Sequence, residues 1–145
     1  MKLLKALIAG ALVLVVIYGF FEKILINMPT DTAEKYRQMK SDMGGIVARG
    51  GAIVFSKEND RGSAVLITRG VDSRSVDVKL LDNYRNAFAS QGWRIIDSSA
   101  RKISYCKEGV LATLNLAPEW FPGKQISVYG LTMEYNSGTM AGCKQ

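Results

Sequence analysis

Apolar positions come first as a solid block and only later in periods. Ala6 to Phe21 contains 16 consecutive residues without a charge, and Leu3 and Leu4 extend the block past Lys5, whose long side chain can reach the headgroup level. Counted from Leu3 to Phe21 the block is 19 residues long, close to the ~20 that cross a hydrocarbon core. A cleaved secretion signal would need small residues at its cleavage site. Ile17 to Ile24 is instead bulky, with Tyr18, Phe20 and Phe21 suited to an interfacial aromatic belt. A core helix without a polar face would need protein on all sides, which a chain of this size does not supply. Residues 1–28 are therefore expected to be an uncleaved signal-anchor, held in the membrane through residues 3–21. Lys2 and Lys5 precede the block, whereas Lys23 beside Glu22 follows it. That bias puts the N-terminus in the cytoplasm. In a bacterium the chain would then sit in the inner membrane with its C-terminal part in the periplasm.

Pro29 ends the block, and Asp31 with Glu34 three residues on has the form of a capping box. A short neck helix is expected over Thr32 to Met43. Its apolar residues Ala33, Tyr36, Met39 and Met43 make a narrow stripe, which packs on the domain in the preferred reading. In the other reading, self-association runs through this neck helix or through the anchor. Gly44-Gly45 and Gly50-Gly51 read as turns, closing a linker region over 29–51. "GGAIVF" lacks the lysine and hydroxyl of a phosphate-binding loop.

Residues 52–145 then alternate between two periods. "AIVFS" and "AVLITR" are rich in β-branched residues and flank the turn-like "KENDRGS", which predicts a hairpin. Leu80, Leu81, Tyr84, Ala87 and Phe88 fall at helical spacing, with Ser75 as N-cap, Asp77 in the first turn and Gly92 as the stop. After Trp93 the period returns to two. "WRIID" and "KISYCK" are strands, followed by "VLATLNL" with Val110, Ala112, Leu114 and Leu116 on one face. In "QISVYGLTMEY" the alternation changes phase at Gly130, which suggests a bulge there. The expected fold class is α+β. A transmembrane helix and neck helix precede an antiparallel sheet of about six strands, in the order β-β-α-β-β-β-β, packed on one main helix.

Composition narrows the chemistry. Removing Lys2, Lys5, Lys23 and Glu22 from 19 Lys and Arg and 13 Asp and Glu leaves 16 against 12, too thin a surplus to indicate nucleic acid. Histidine is absent, and with it the commonest general base and metal ligand. No serine or cysteine has a well-spaced lysine base, and the acids are scattered through turns and strand ends. No enzyme activity and no cofactor or metal is expected. Cys106 and Cys143 fit no metal spacing, and in an oxidising compartment they would form a disulfide.

Two features point to binding. Trp120 and Phe121 stand in the proline-bounded "APEWFPGK", where they either cap the core or contact a partner or the membrane. Arg94, Arg101, Lys102 and Lys107 fall on neighbouring strands beside Arg85, forming either a solvated face or a surface for an anionic partner. The expected role is a membrane-anchored periplasmic protein-binding module of the cell envelope, without catalysis. The alternative is an immunity or inhibitor protein that neutralises a toxin or hydrolase acting in the periplasm.

Overall fold

A computed structural model describes residues 10–19 and 31–143. Residues 10–19 are helical with every side chain exposed. No helix among the described residues is long and apolar enough to cross a membrane. The rest of the expected anchor lies outside the described residues.

From residue 31 the order is α1 (Thr32–Val47), β1 (Ile53–Asp60), β2 (Val65–Asp72), a 3-10 turn (Ser73–Ser75), α2 (Val78–Ser90), β3 (Arg94–Ser98), β4 (Lys102–Lys107), β5 (Val110–Asn115), β6 (Glu119–Phe121), β7 (Ile126–Tyr135) and α3 (Ser137–Gly142). The strands form one antiparallel sheet in the order β1-β2-β7-β5-β4-β3, with β6 also paired to β7. The expected α+β class and antiparallel sheet are observed, with seven strands in place of about six.

Alternation explains the core. Val65, Ile67 and Val71 of β2, Leu131, Met133 and Tyr135 of β7, Val110, Ala112 and Leu114 of β5, and Ile103 and Tyr105 of β4 are all buried. Tyr84, Ala87 and Phe88 of α2 join the same cluster, and Phe88 stacks on Tyr105 with ring centroids 4.2 Å apart. Met39, Met43 and Ile46 of α1 belong to it too, so the helix stripe packs on the domain. That packing carries α1 past Met43 and through Gly44-Gly45 to Val47, where a turn had been expected. At Gly45 a side chain would run into Gln91, so glycine there admits the end of α2.

Helix ends differ from the sequence reading because tertiary partners compete for the capping groups. The Asp31 side chain makes no cap bond and accepts instead from the Tyr135 hydroxyl. The N-cap of α2 is Asp77, which accepts from Leu80 N at 2.7 Å. Ser75 lies in the 3-10 turn, where its Oγ accepts from Ala52 N and donates to the Asp72 carbonyl. Gly92, at φ +81, ends α2 as expected. Asn136 and Thr139 form a capping box for α3, a helix the sequence reading did not contain.

β1 runs on through the polar Lys57–Asp60, paired with Val65 to Thr68. β7 pairs with β2 without interruption through Gly70 opposite Gly130, so the expected bulge is not in β7. Between Leu114 opposite Leu131 and Glu119 opposite Val128, the partner chain advances five residues while β7 advances three. Two extra residues are therefore accommodated across the Asn115–Pro118 connection. The change of phase in β7 has another cause: Leu131, Met133 and Tyr135 face the helices, while Ile126 and Val128 face the other side, where Val128 lies close beside Gly70 with Phe55.

Cys106 and Cys143 are joined as a disulfide with Cα atoms 5.5 Å apart. The bond links the residue after α3 to an interior strand of the sheet.

Candidate functional site

The two ends of the sheet differ. At one end the start of α1 is pinned by three contacts: Asp31 with the Tyr135 hydroxyl, Thr32 Oγ with the Gly62 carbonyl, and Lys35 Nζ with Glu108 at 2.8 Å. Burial and the Asp31 bond together push the Tyr135 hydroxyl up to about 12, so it remains a donor throughout the physiological range. These contacts gather the β1–β2 turn, the β4–β5 turn and the end of β7 where the chain arrives from the apolar block.

The other end carries the β3–β4 turn, the β5–β6 connection and the turn after β6. Ser99, Arg101, Lys102, Asn115, Ala117, Pro118 and Glu119 line a groove of about 350 Å³ there. Ser99 Oγ accepts from the backbone N–H of Arg101 and of Lys102 and donates to the Lys102 carbonyl. The turn that presents both cations is thereby fixed. Neither cation is in an ion pair among the described residues. Their charge faces solvent with only Glu119 as an acidic neighbour in the groove.

Trp120 and Phe121 have separate roles. "EWF" between Pro118 and Pro122 forms the short strand β6, so successive side chains point to opposite faces. Phe121 packs on Phe55 with ring centroids 5.0 Å apart. Trp120 is 61% exposed. One aromatic thus anchors the strand and the other is presented to solvent, adjacent in sequence to Glu119 of the groove and on the opposite face of β6. The indole buries little where it stands and would gain substantially from being covered.

The remaining basic candidates do not join this site. Lys107 bonds Asp42 at 2.8 Å and lies over the Trp93 ring, a structural contact between β4 and α1. Arg94 stands opposite Cys106, four residues along β4 from Lys102 and therefore ~13 Å away. Arg85 bonds Asp82 on its own helix at 2.7 Å. The cationic surface thus consists of Arg101 and Lys102. Ser99, Asn115 and Glu119 complete the groove, and sequence gave no warning of them because turn geometry brings them together.

Many carboxylates have structural partners. Asp42 takes Lys107 and the Trp93 indole N–H, and Asp72 takes Arg74, which holds its carboxyl down at about 2. The Tyr36 hydroxyl, then Arg69 and Lys40, hold the Glu58 carboxyl at about 2. A carboxyl depressed in the folded state contributes stability above its unfolded value of about 4.3, and that contribution is lost as pH falls through the folded value. Urea unfolding should show stability falling between about pH 5 and pH 2, with a flatter profile in Glu58→Gln. Equal slopes would mean that the Glu58 contacts do not bear on folding. No group of three or more His, Cys, Asp or Glu that could hold a metal occurs among the described residues.

No family model matches the chain, and neither a curated protein nor a solved structure matches it.

Proposed function

We propose that this chain is a single-pass membrane-anchored protein of the bacterial inner membrane whose sheet domain, in the periplasm, binds another envelope protein without catalysing a reaction. The observation that carries this reading is the position of Trp120. It is an exposed indole on a strand fixed by the packing of the neighbouring Phe121 on Phe55, next in sequence to Glu119 of a cationic groove at the end of the sheet opposite the one where the apolar block joins. Exposed aromatics on rigid elements are favoured anchors of protein interfaces. Arg101 and Lys102, in no ion pair among the described residues, add orientation and an acidic preference in the partner. The disulfide supports an oxidising compartment, and the exposed apolar helical residues 10–19 support insertion.

The test is affinity purification of the tagged full chain from mild-detergent membranes, with Trp120→Ala and Arg101→Glu in parallel. Trp120 is the better target than Phe121, because removing Phe121 also removes its packing on Phe55. A co-purifying protein should be depleted at least about tenfold by Trp120→Ala, the loss expected of an interface anchor. Resident envelope subunits would identify a structural role, and a single secreted toxin or hydrolase would assign the immunity role. Capture that survives both substitutions would remove this site from the interaction. A reporter fused after Gln145 that proved cytoplasmic would overturn the topology.

A further inference from the structure

The open edge of the sheet is a second surface, distinct from the groove and from the binding role proposed for it. β3 lies at that edge, and all five of its residues are exposed, including Ile95 at 57% and Ile96 at 44%. An edge strand offers unpaired backbone groups to any extended chain, so proteins blunt such edges. At the other edge, β1 carries a bulge between Ile53 and Phe55, and Lys124 covers the Val54 carbonyl. β3 also carries a bulge, between Ile95 and Asp97, but among the described residues no side chain from another element bonds its backbone. It retains two large aliphatic side chains flanked by Arg94 and Asp97.

The register of β3 makes this edge self-complementary. Three residues apart in a regular strand, Arg94 and Asp97 would point to opposite faces. A bulge intervenes: Arg94 is opposite Cys106 and Ile95 opposite Tyr105, but Asp97 is opposite Ser104. Ile96 is the extra residue. Cys106 and Ser104 are two apart on β4 and share a face, so Arg94 and Asp97 share it as well. In an antiparallel pair, directly opposed residues lie on the same face. Neither Arg94 nor Asp97 is in an ion pair among the described residues.

We infer that β3 pairs antiparallel with β3 of a second copy of this chain across a two-fold axis, joining two sheets into one. Arg94 of each copy then opposes Asp97 of the other, and Ile95 and Ile96 of both copies meet between these two ion pairs. The interface is isologous, so it closes at two copies and leaves no β3 edge for further growth, while the remaining edges are the two bulged β1 strands. The axis stands along the sheet normal. For two chains held in one membrane the axis is also the membrane normal, and the nine residues from 22 to 30 allow a connection of up to about 30 Å. Tethering in one membrane raises the effective concentration of the edges.

The test uses the full chain in density-matched detergent, followed by sedimentation over a concentration series. The wild type should associate to a dimer. R94D places Asp opposite Asp97 twice, and D97R places Arg opposite Arg94 twice, so each should weaken the dimer by about tenfold or more. Mixed one to one, these two variants should form a heterodimer, because every opposed pair is again of opposite charge. The double variant R94D/D97R should recover the homodimer. Both sites are exposed, and unchanged circular dichroism would show that each variant folds. A wild type that stays monomeric overturns the pairing. So does a dimer indifferent to all the variants, as one formed through the apolar block would be. Neither result touches the Trp120 site, whose own test is capture of a different protein.

Discussion

Reduction of the Cys106–Cys143 bond should lower the stability of the domain by about 4 kcal/mol. The closed loop spans a sequence separation of 37, and the chain-entropy model assigns a crosslink of that length about 4 kcal/mol through the freedom it removes from the unfolded chain. For a domain of this size the melting temperature should fall by roughly 10–20 °C. Thermal unfolding followed by circular dichroism, with and without reductant, reads the effect, and Cys106→Ala/Cys143→Ala should reproduce it. The folded state also depends on the bond locally. It holds the end of α3, whose Met140 lies against Gly109 as Tyr135 also does, next to the Asp31–Tyr135 contact. Reduction should therefore first loosen the end of the sheet that receives α1, seen as faster hydrogen exchange in β7 and α3. A shift of less than about 1 kcal/mol would mean that the reduced unfolded chain keeps structure that already brings the two cysteines together.

The second large effect is expected at Gly51, where backbone conformation and packing act together. Its φ is +90, and a Cβ there would lie 2.6 Å from Val71 Cγ1, 2.8 Å from Tyr84 Oη and 3.2 Å from Leu80 Cδ2. Tyr84 donates to the Gly50 carbonyl at 2.6 Å, so the displaced ring would lose this bond too. The left-handed conformation costs a side chain about 1–2 kcal/mol and overpacking about 1–3. Gly51→Ala should thus destabilise by about 2–5 kcal/mol. Gly62 separates the two contributions: its φ is +74, but nothing lies within 4 Å of the Cβ position. Gly62→Ala should cost only the backbone part, about 1–2 kcal/mol. Equal losses in the two variants, measured by urea unfolding, would show that the chain around Gly51 relaxes freely.

The local contrast between periods carried most of the fold. Leu80, Tyr84, Ala87 and Phe88 are buried along one side of α2, and Val110, Ala112 and Leu114 along one side of β5, because burial of one face imposes the spacing that sequence displays. Where the chain is polar on purpose, that signal fails. Lys57 to Asp60 reads as a turn yet belongs to an edge strand, since its carboxylates are solvated or, in Glu58, held by Tyr36, Lys40 and Arg69. The three-residue β6 is too short to show a period between its two prolines. Asp31 is the N-cap of α1 but its side chain makes no cap bond, and Ser75 does not cap α2, for one reason: both side chains have partners distant in sequence, Tyr135 and Ala52.

Sequence by itself determined the strand and helix faces, the pairing of the only two cysteines, the length and apolarity of the N-terminal block, and the absence of histidine. All of these are written in residue type and spacing along the chain. Only the tertiary structure decided that Trp120 is presented while Phe121 is packed, that Lys107 is taken up by Asp42, and that Arg101 and Lys102 share a groove with Asn115 and Glu119. It also decided that a bulge brings Arg94 and Asp97 to one face. The physical reason is that a side chain's freedom to act depends on which groups reach it first, and those groups come from elements far away in sequence.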